Sequence, residues 1–277
     1  MRLRSLFYKN KYFVLSVLFL GLIFPIGRVQ AVLPESAEAS LDSGMALISE
    51  GAFTMGSSEE DIHWVAREFF SETVDWYRDE TPQQQIYLKA FYIDKYEVTN
   101  AKFLKFREAV PGPQPKFMDT PKFNRPDQPV VGITWQEALD YCKWLGKRLP
   151  TEQEWEKAAR GTDARFYPWG KDVDPVKANV RGLEDGARYT APVGEYEEGN
   201  SPYGVFDMAG NVWEWTMDWY QPYEGNNFSS DLYGTSLKVI KGGSWQSNMD
   251  LARAAIRGKA IPDQRQNFTG FRCARDS

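Results

Sequence analysis

The chain has 277 residues, 42% hydrophobic and 26% charged, with a formal net charge of −5. Setting aside residues 1–31, which carry five basic side chains and no acid, leaves 246 residues and a net charge of about −10. That balance excludes nucleic acid and anionic membrane surfaces as partners, and the length suits one large domain or a compact pair.

Residues 1–31 read as a signal peptide. Arg2, Arg4, Lys9 and Lys11 form a basic start, Tyr12–Ile26 is apolar, and Val29-Gln30-Ala31 is a small-residue cleavage site. The apolar run is 15 residues long, short of the roughly 20 that span a bilayer. An uncleaved anchor is the alternative, given Arg28 beside the cut. The expectation is an exported protein, periplasmic or secreted, with no membrane span in its mature form. Residues 32–44 are small and acidic and read as a linker, leaving 45–277 as the folded domain.

Ala46–Met55 and Gln85–Ile93 carry strand-like apolar residues. Between them, Ser57–Gln84 is charged and aromatic and reads as a helix or an ordered insertion. Thr99 is placed to cap a helix running through Phe106, with Phe103 and Phe106 inward. The proline-rich stretch 111–129 reads as a long loop. Thr134 with Glu137, and Thr151 with Glu154, have capping-box spacing. The first of these helices puts Trp135, Ala138, Leu139, Cys142 and Leu145 on one stripe. The second carries Trp155, Ala158 and Ala159 and stops at Gly161. From Phe166 to Gly234 regular periods are few, and so long an irregular stretch usually needs ions or ligands to hold it. Ten Trp, 14 Tyr and 17 Phe supply a sizeable core.

Tyr203–Trp219, YGVFDMAGNVWEWTMDW, is the most informative tract. Asp207 and Glu214 offer hard carboxylate oxygens, and the Gly210-Asn211 turn lets main-chain carbonyls point one way, as Ca²⁺ requires. In a strand over Val212–Thr216, Trp213 and Trp215 share a face and Glu214 takes the other. Read alone, the tract is more simply a surface acid beside a buried Trp pair. A second loop, Asn179-Val180 followed by Asp185-Gly186-Ala187, again offers oxygens for Ca²⁺, or is an ordinary Asx/Gly turn. With export, the two cysteines, Cys142 and Cys273, are expected to be bonded; two buried free thiols are the alternative.

The tract resembles the family of formylglycine-generating enzymes and sulfatase-modifying factors. Further blocks match in the same order: Gly51–Gly56, Phe91–Asn100, Gly146–Trp155 with Pro168–Gly170, Thr190–Val193, Gly242–Trp245 and Gly270–Cys273. The resemblance runs from about Met45 to Arg275. It implies an α+β fold, the family's variant of the C-type lectin fold with much irregular structure. It implies one Ca²⁺ site with side-chain ligands Asp207 and Glu214 and carbonyls of Gly210 and Val212. A second site maps onto Asn179, Val180, Asp185 and Ala187. It also implies that Cys142 pairs with Cys273.

The family's formylglycine-generating members place two cysteines just after the Gly-Gly-Ser block to bind Cu(I), a soft ion that takes thiolates. Here that stretch holds Ser247 and Met249, and no cysteine lies between 142 and 273. A hydroxyl does not replace a thiolate, so neither copper nor formylglycine-generating activity is expected. Ser244, Trp245, Ser247, Arg253 and Arg257 are candidates for lining a groove that takes an anionic or peptide ligand. Pairing of the two arginines with acids of this acidic chain is the plainer alternative. His63 is the sole histidine, which excludes multi-histidine zinc or iron sites. Two readings follow. One is a calcium-stabilised binding or accessory protein for a peptide, protein or small molecule. The other is an oxidative tailoring enzyme similar to exported family members that act in pyoverdine maturation.

Overall fold

The computed structural model describes residues 44–277. The expected signal peptide and nearly all of the expected linker lie outside the described residues. The elements run in chain order as β1 (Met45–Ile48), β2 (Gly51–Met55), α1 (Glu59–Glu68), β3 (Gln84–Leu88), β4 (Phe91–Asp94), α2 (Asn100–Ala109), α3 (Trp135–Trp144) and α4 (Glu152–Arg160). Five short strands complete the domain: β5 (Trp213–Trp219), β6 (Lys238–Lys241), β7 (Gly258–Ala260), β8 (Thr269–Gly270) and β9 (Ala274–Asp276). They form three small sheets ordered β1-β4-β9, β2-β3 and β7-β6-β5-β8. Only the β5–β8 pair is parallel among the described strands.

Each strand-like stretch of the sequence is two strands, not one. The chain leaves the β1-β4-β9 sheet at Ser49-Glu50, enters the β2-β3 ribbon, and returns at Lys89-Ala90. The carbonyls freed at the first crossing do not go unpaired: Lys157 Nζ of α4 donates to Ser49 O at 2.7 Å and Gly51 O at 2.9 Å. The 57–84 stretch resolves into α1, capped by Ser58 and Asp61, and a short 3₁₀ helix over Val74–Glu80.

Helix ends follow local chemistry. Thr99, Thr134 and Thr151 each cap from extended backbone, and the last two form full capping boxes. α2 continues three residues past Phe106 and stops at Val110, which is extended because Pro111 follows. α4 ends at Gly161, whose φ of 68° favours glycine. Phe103 and Phe106 of α2, Leu139 and Cys142 of α3, Trp213 and Trp215 of β5, and Phe271 share the largest core cluster. A second cluster packs Trp155, Ala158 and Ala159 of α4 against β1 and β4. Cys142 and Cys273 are disulfide-bonded with Cα atoms 5.6 Å apart, tying α3 to the residue before β9. No helix among the described residues is long and apolar enough to cross a membrane.

α4 departs furthest from the amphipathic helix that the sequence suggests. Besides its apolar face it buries Glu152, Glu156, Lys157 and Arg160. Glu156 is fully enclosed yet accepts from Gly56 N, Arg160 and Lys241 Nζ. Burial would raise its carboxyl, but Lys241 and Arg160 overcome that and hold it below the usual carboxylate value. The helix is central because distant segments supply its counter-charges.

Candidate functional site

β5 opens with Trp213 and Trp215 turned into the largest core and Glu214 on the opposite side. There Glu214 is fully buried and meets Arg272. Arg272 Nε donates to Glu214 Oε2 and Nη2 to Oε1, both at 2.7 Å, and Trp155 Nε1 donates to Oε2 at 2.8 Å. One lone-pair position on Oε1 is left. The turn before β5 is left-handed at Asp207 (φ 56°), Gly210 (φ 79°) and Asn211 (φ 55°). Asp207 is buried and accepts from Gly194 N at 2.6 Å. Burial pushes its carboxyl up to about 6. A third acid, Glu97, is fully buried just before α2. Its Oε2 accepts from Asn211 Nδ2 at 2.8 Å, while Oε1 has no hydrogen-bond partner among the described residues. Burial, then the charges of Asp207 and Glu214, raise Glu97 well above the usual range. Three buried carboxylates therefore share one guanidinium.

The second loop packs directly on this turn. Asn211 N donates to Asn179 O at 2.7 Å, and a side chain at Gly210 would fall 2.2 Å from that oxygen. Asp185 closes its loop by accepting from Val180 N (2.8 Å) and Ala187 N (2.9 Å). Asn179 Nδ2 donates to Tyr189 O and Asn211 Oδ1, and its buried Oδ1 has no partner among the described residues. The two candidate calcium sets thus adjoin, the first on the turn before β5 and on Glu214 of β5, the second on the 179–187 loop. Each set has an orphaned oxygen beside it, Glu97 Oε1 or Asn179 Oδ1, which a hard cation would satisfy. Among the described residues no three acidic, His or Cys side chains form a metal cluster on their own. A cation here would therefore need carbonyl or amide oxygens beside its carboxylates.

The stretch after Gly243 is held by the same two turns. Trp245 N donates to Asn211 O, and Arg181 N to Ser247 O, both at 2.9 Å. Ser247 Oγ accepts from Ser244 N at 3.0 Å and lies 3.2 Å from Ser244 Oγ; both serines are buried. Met249 is buried too. Arg253 is enclosed in a bidentate pair with Glu80 (2.6 and 2.8 Å). Arg257 pairs with Glu152 through Nε at 2.7 Å and Nη2 at 3.0 Å. The two arginines are thus engaged with acids of the chain. Arg257 still lines a cavity of about 410 Å³ with Asp218, Trp219 and Tyr223. Trp245 stays partly exposed against Tyr189. Tyr189 lines another opening, of about 400 Å³, with Lys122, Arg125 and Arg188. Arg257 thus lines the first opening, and Trp245 touches the wall of the second through Tyr189.

Sequence reasoning did not single out Glu97, Asn211 or Arg272 as parts of this node. Glu97 and Arg272 lie inside blocks quoted for the family resemblance, but nothing in their spacing says that they meet Glu214. Asn211 was read only as a turn residue.

An α+β domain with small sheets, long irregular turns and a Trp-Glu-Trp strand of this kind has the formylglycine-generating-enzyme variant of the C-type lectin fold. The chain belongs to the family of the sulfatase-modifying factor enzyme 1-like domain, which matches residues 30–277. It is 30% identical to the formylglycine-generating enzyme of Bos taurus, over 84% of this chain and 74% of that protein. The enzyme of Thermomonospora curvata is 31% identical, over 88% and 97%. The serine/threonine-protein kinase pkn1 of Chlamydia pneumoniae is 32% identical, but the chain spans 40% of its length. The structure of PvdO from Pseudomonas aeruginosa aligns with a TM-score of 0.67 at 28% identity, over 84% of this chain and 94% of that one.

Proposed function

We propose that this chain is an exported, calcium-stabilised family member that binds a peptide, protein or small-molecule ligand and does not generate formylglycine. The observation that carries the second half is the Cys142–Cys273 bond. It consumes both cysteines of the chain and seats them in a closed core. Ser247, where a thiolate would be needed, is instead tied to Ser244. Incubating copper-loaded protein with a sulfatase-type Cys peptide should leave the peptide mass unchanged. Protein-dependent loss of sulfur with gain of an aldehyde would overturn the reading.

The calcium half is supported by the two orphaned oxygens and the excess of buried carboxylate. Asp207, Glu214 and the carbonyls of Gly210 and Val212 would hold one ion, with Glu97 beside them. Asn179, Asp185 and the carbonyls of Val180 and Ala187 would hold the other. Bound Ca²⁺ would supply positive charge that fixes the turns carrying Trp245 and Ser247. Calcium at a hundredfold excess over its Kd should stabilise by about 2.7 kcal/mol per site, raising Tm by about 5–11 °C. Asp207→Asn and Asp185→Asn should each remove part of the rise. An unchanged Tm after chelation would reject both sites. Elemental analysis of the same sample discriminates the rival: stoichiometric copper or iron would favour an oxidative tailoring enzyme.

A further inference from the structure

The two calcium sets are joined by a single side chain. Asn211 Nδ2 donates to Glu97 Oε2 at 2.8 Å, and Asn211 Oδ1 accepts from Asn179 Nδ2 at 3.0 Å and Ala191 N at 2.9 Å. The chain has a direction. Turning the Asn211 amide over would set oxygen against the Glu97 carboxylate and N–H against two other N–H groups, so only one orientation is satisfied. The same constraint passes to Asn179. With both N–H groups of Nδ2 committed to Tyr189 O and Asn211 Oδ1, its orphaned Oδ1 is held facing away from them. At the other end, the orphaned Glu97 Oε1 lies on the carboxylate whose second oxygen holds Asn211. Asn211 is fully buried, and each of these contacts is a direct hydrogen bond.

We propose that Asn211 is a positioning residue that couples the two calcium sites through the chain Glu97–Asn211–Asn179. The proposal rests on the calcium reading above. An ion near Glu97 Oε1 fixes that carboxylate. The carboxylate fixes the Asn211 amide, and the amide presents Asn179 Oδ1 to the second ion. Hydrogen bonds in such a chain polarise one another, so ordering at either end lowers the cost at the other. By linkage the effect is reciprocal: each ion must raise affinity for the other by the same factor.

The test is calorimetric titration of chelator-stripped full chain with calcium chloride. Asp207→Asn disables the first site and should weaken the second by about fivefold or more, the lower end of ordinary coupling. Asp185→Asn disables the second and should weaken the first by that same factor. Asn211→Asp keeps the acceptor for Asn179 and Ala191 but places oxygen against Glu97. In that background the factor should fall below about twofold. If Asn211→Asp does not fold, Glu97→Gln makes the same cut by removing the charge that faces the first ion. A remaining site that keeps native affinity in each single variant would overturn the coupling and leave calcium binding standing. A factor that survives Asn211→Asp or Glu97→Gln would overturn the role of Asn211. Absence of any calcium binding would overturn the coupling and the calcium reading together.

Discussion

Arg272→Met should cost about 3–5 kcal/mol of folding stability, the loss typical of a buried ion pair broken on one side. All five N–H donors of Arg272 are used: two go to Glu214, and the rest to the carbonyls of Asp94, Lys95 and Phe206. The methionine fills much of the volume but returns none of these bonds. It leaves Glu214 enclosed beside Asp207 and Glu97, with no other ion pair to these three acids among the described residues. Arg272→Lys should recover only part of the loss, because a point charge cannot span five acceptors. Urea unfolding at neutral pH with an unchanged m-value reads the effect directly. The exposed pair of Arg125 with Asp127 is the control; its side chains are 58% and 52% accessible, and its removal should cost at most about 1 kcal/mol. Equal losses at the two positions would refute the view that the Arg272 node organises the domain.

Reduction, or Cys142→Ser with Cys273→Ser, should lower stability by a comparable amount. The bond closes a loop with a sequence separation of 131, and the loop-entropy relation gives about 5 kcal/mol at that length. For a domain of this size that is a fall in Tm of about 10–20 °C. Both sulfurs lie in the main core among Leu139, Tyr141 and Phe271, so two serines also bury hydroxyls where apolar atoms packed. Thiol labelling of denatured, unreduced protein should find no free thiol. A Tm unchanged by the double substitution would mean that packing of α3 against β5 suffices without the link.

The sequence made the helices legible because their caps are local. Thr134 and Thr151 signal within four residues where a helix begins, and the structure places both boxes there. The Trp213–Trp215 face of β5 was legible for the same reason, since a two-residue period needs no distant information. The strand crossings at 49–50 and 89–90 were not, because Ser49-Glu50 and Lys89-Ala90 are breaks of only two residues and the choice of partner strand, which separates the halves, is not local. The candidate site divides likewise. Asp207, Gly210, Glu214 and Asn179 stand out by type and spacing. Glu97 and Arg272 become parts of the site only when segments 114 and 58 residues away arrive at Asn211 and Glu214. The partners of Arg253 and Arg257 were invisible for that reason too, although an acidic chain made some pairing the plainer expectation.

The buried charges of α4 and its neighbours carry a consequence for the order in which the chain is completed. Glu80 waits for Arg253 across 173 residues, Glu152 for Arg257 across 105, and Glu156 for Lys241 across 85. A nascent chain that has emerged only as far as β5 holds these acids without the C-terminal cations that neutralise them. Enclosing them at that stage would strand charge away from water. Full enclosure of these acids is therefore expected to wait for the C-terminal segment that carries Lys241, Arg253 and Arg257.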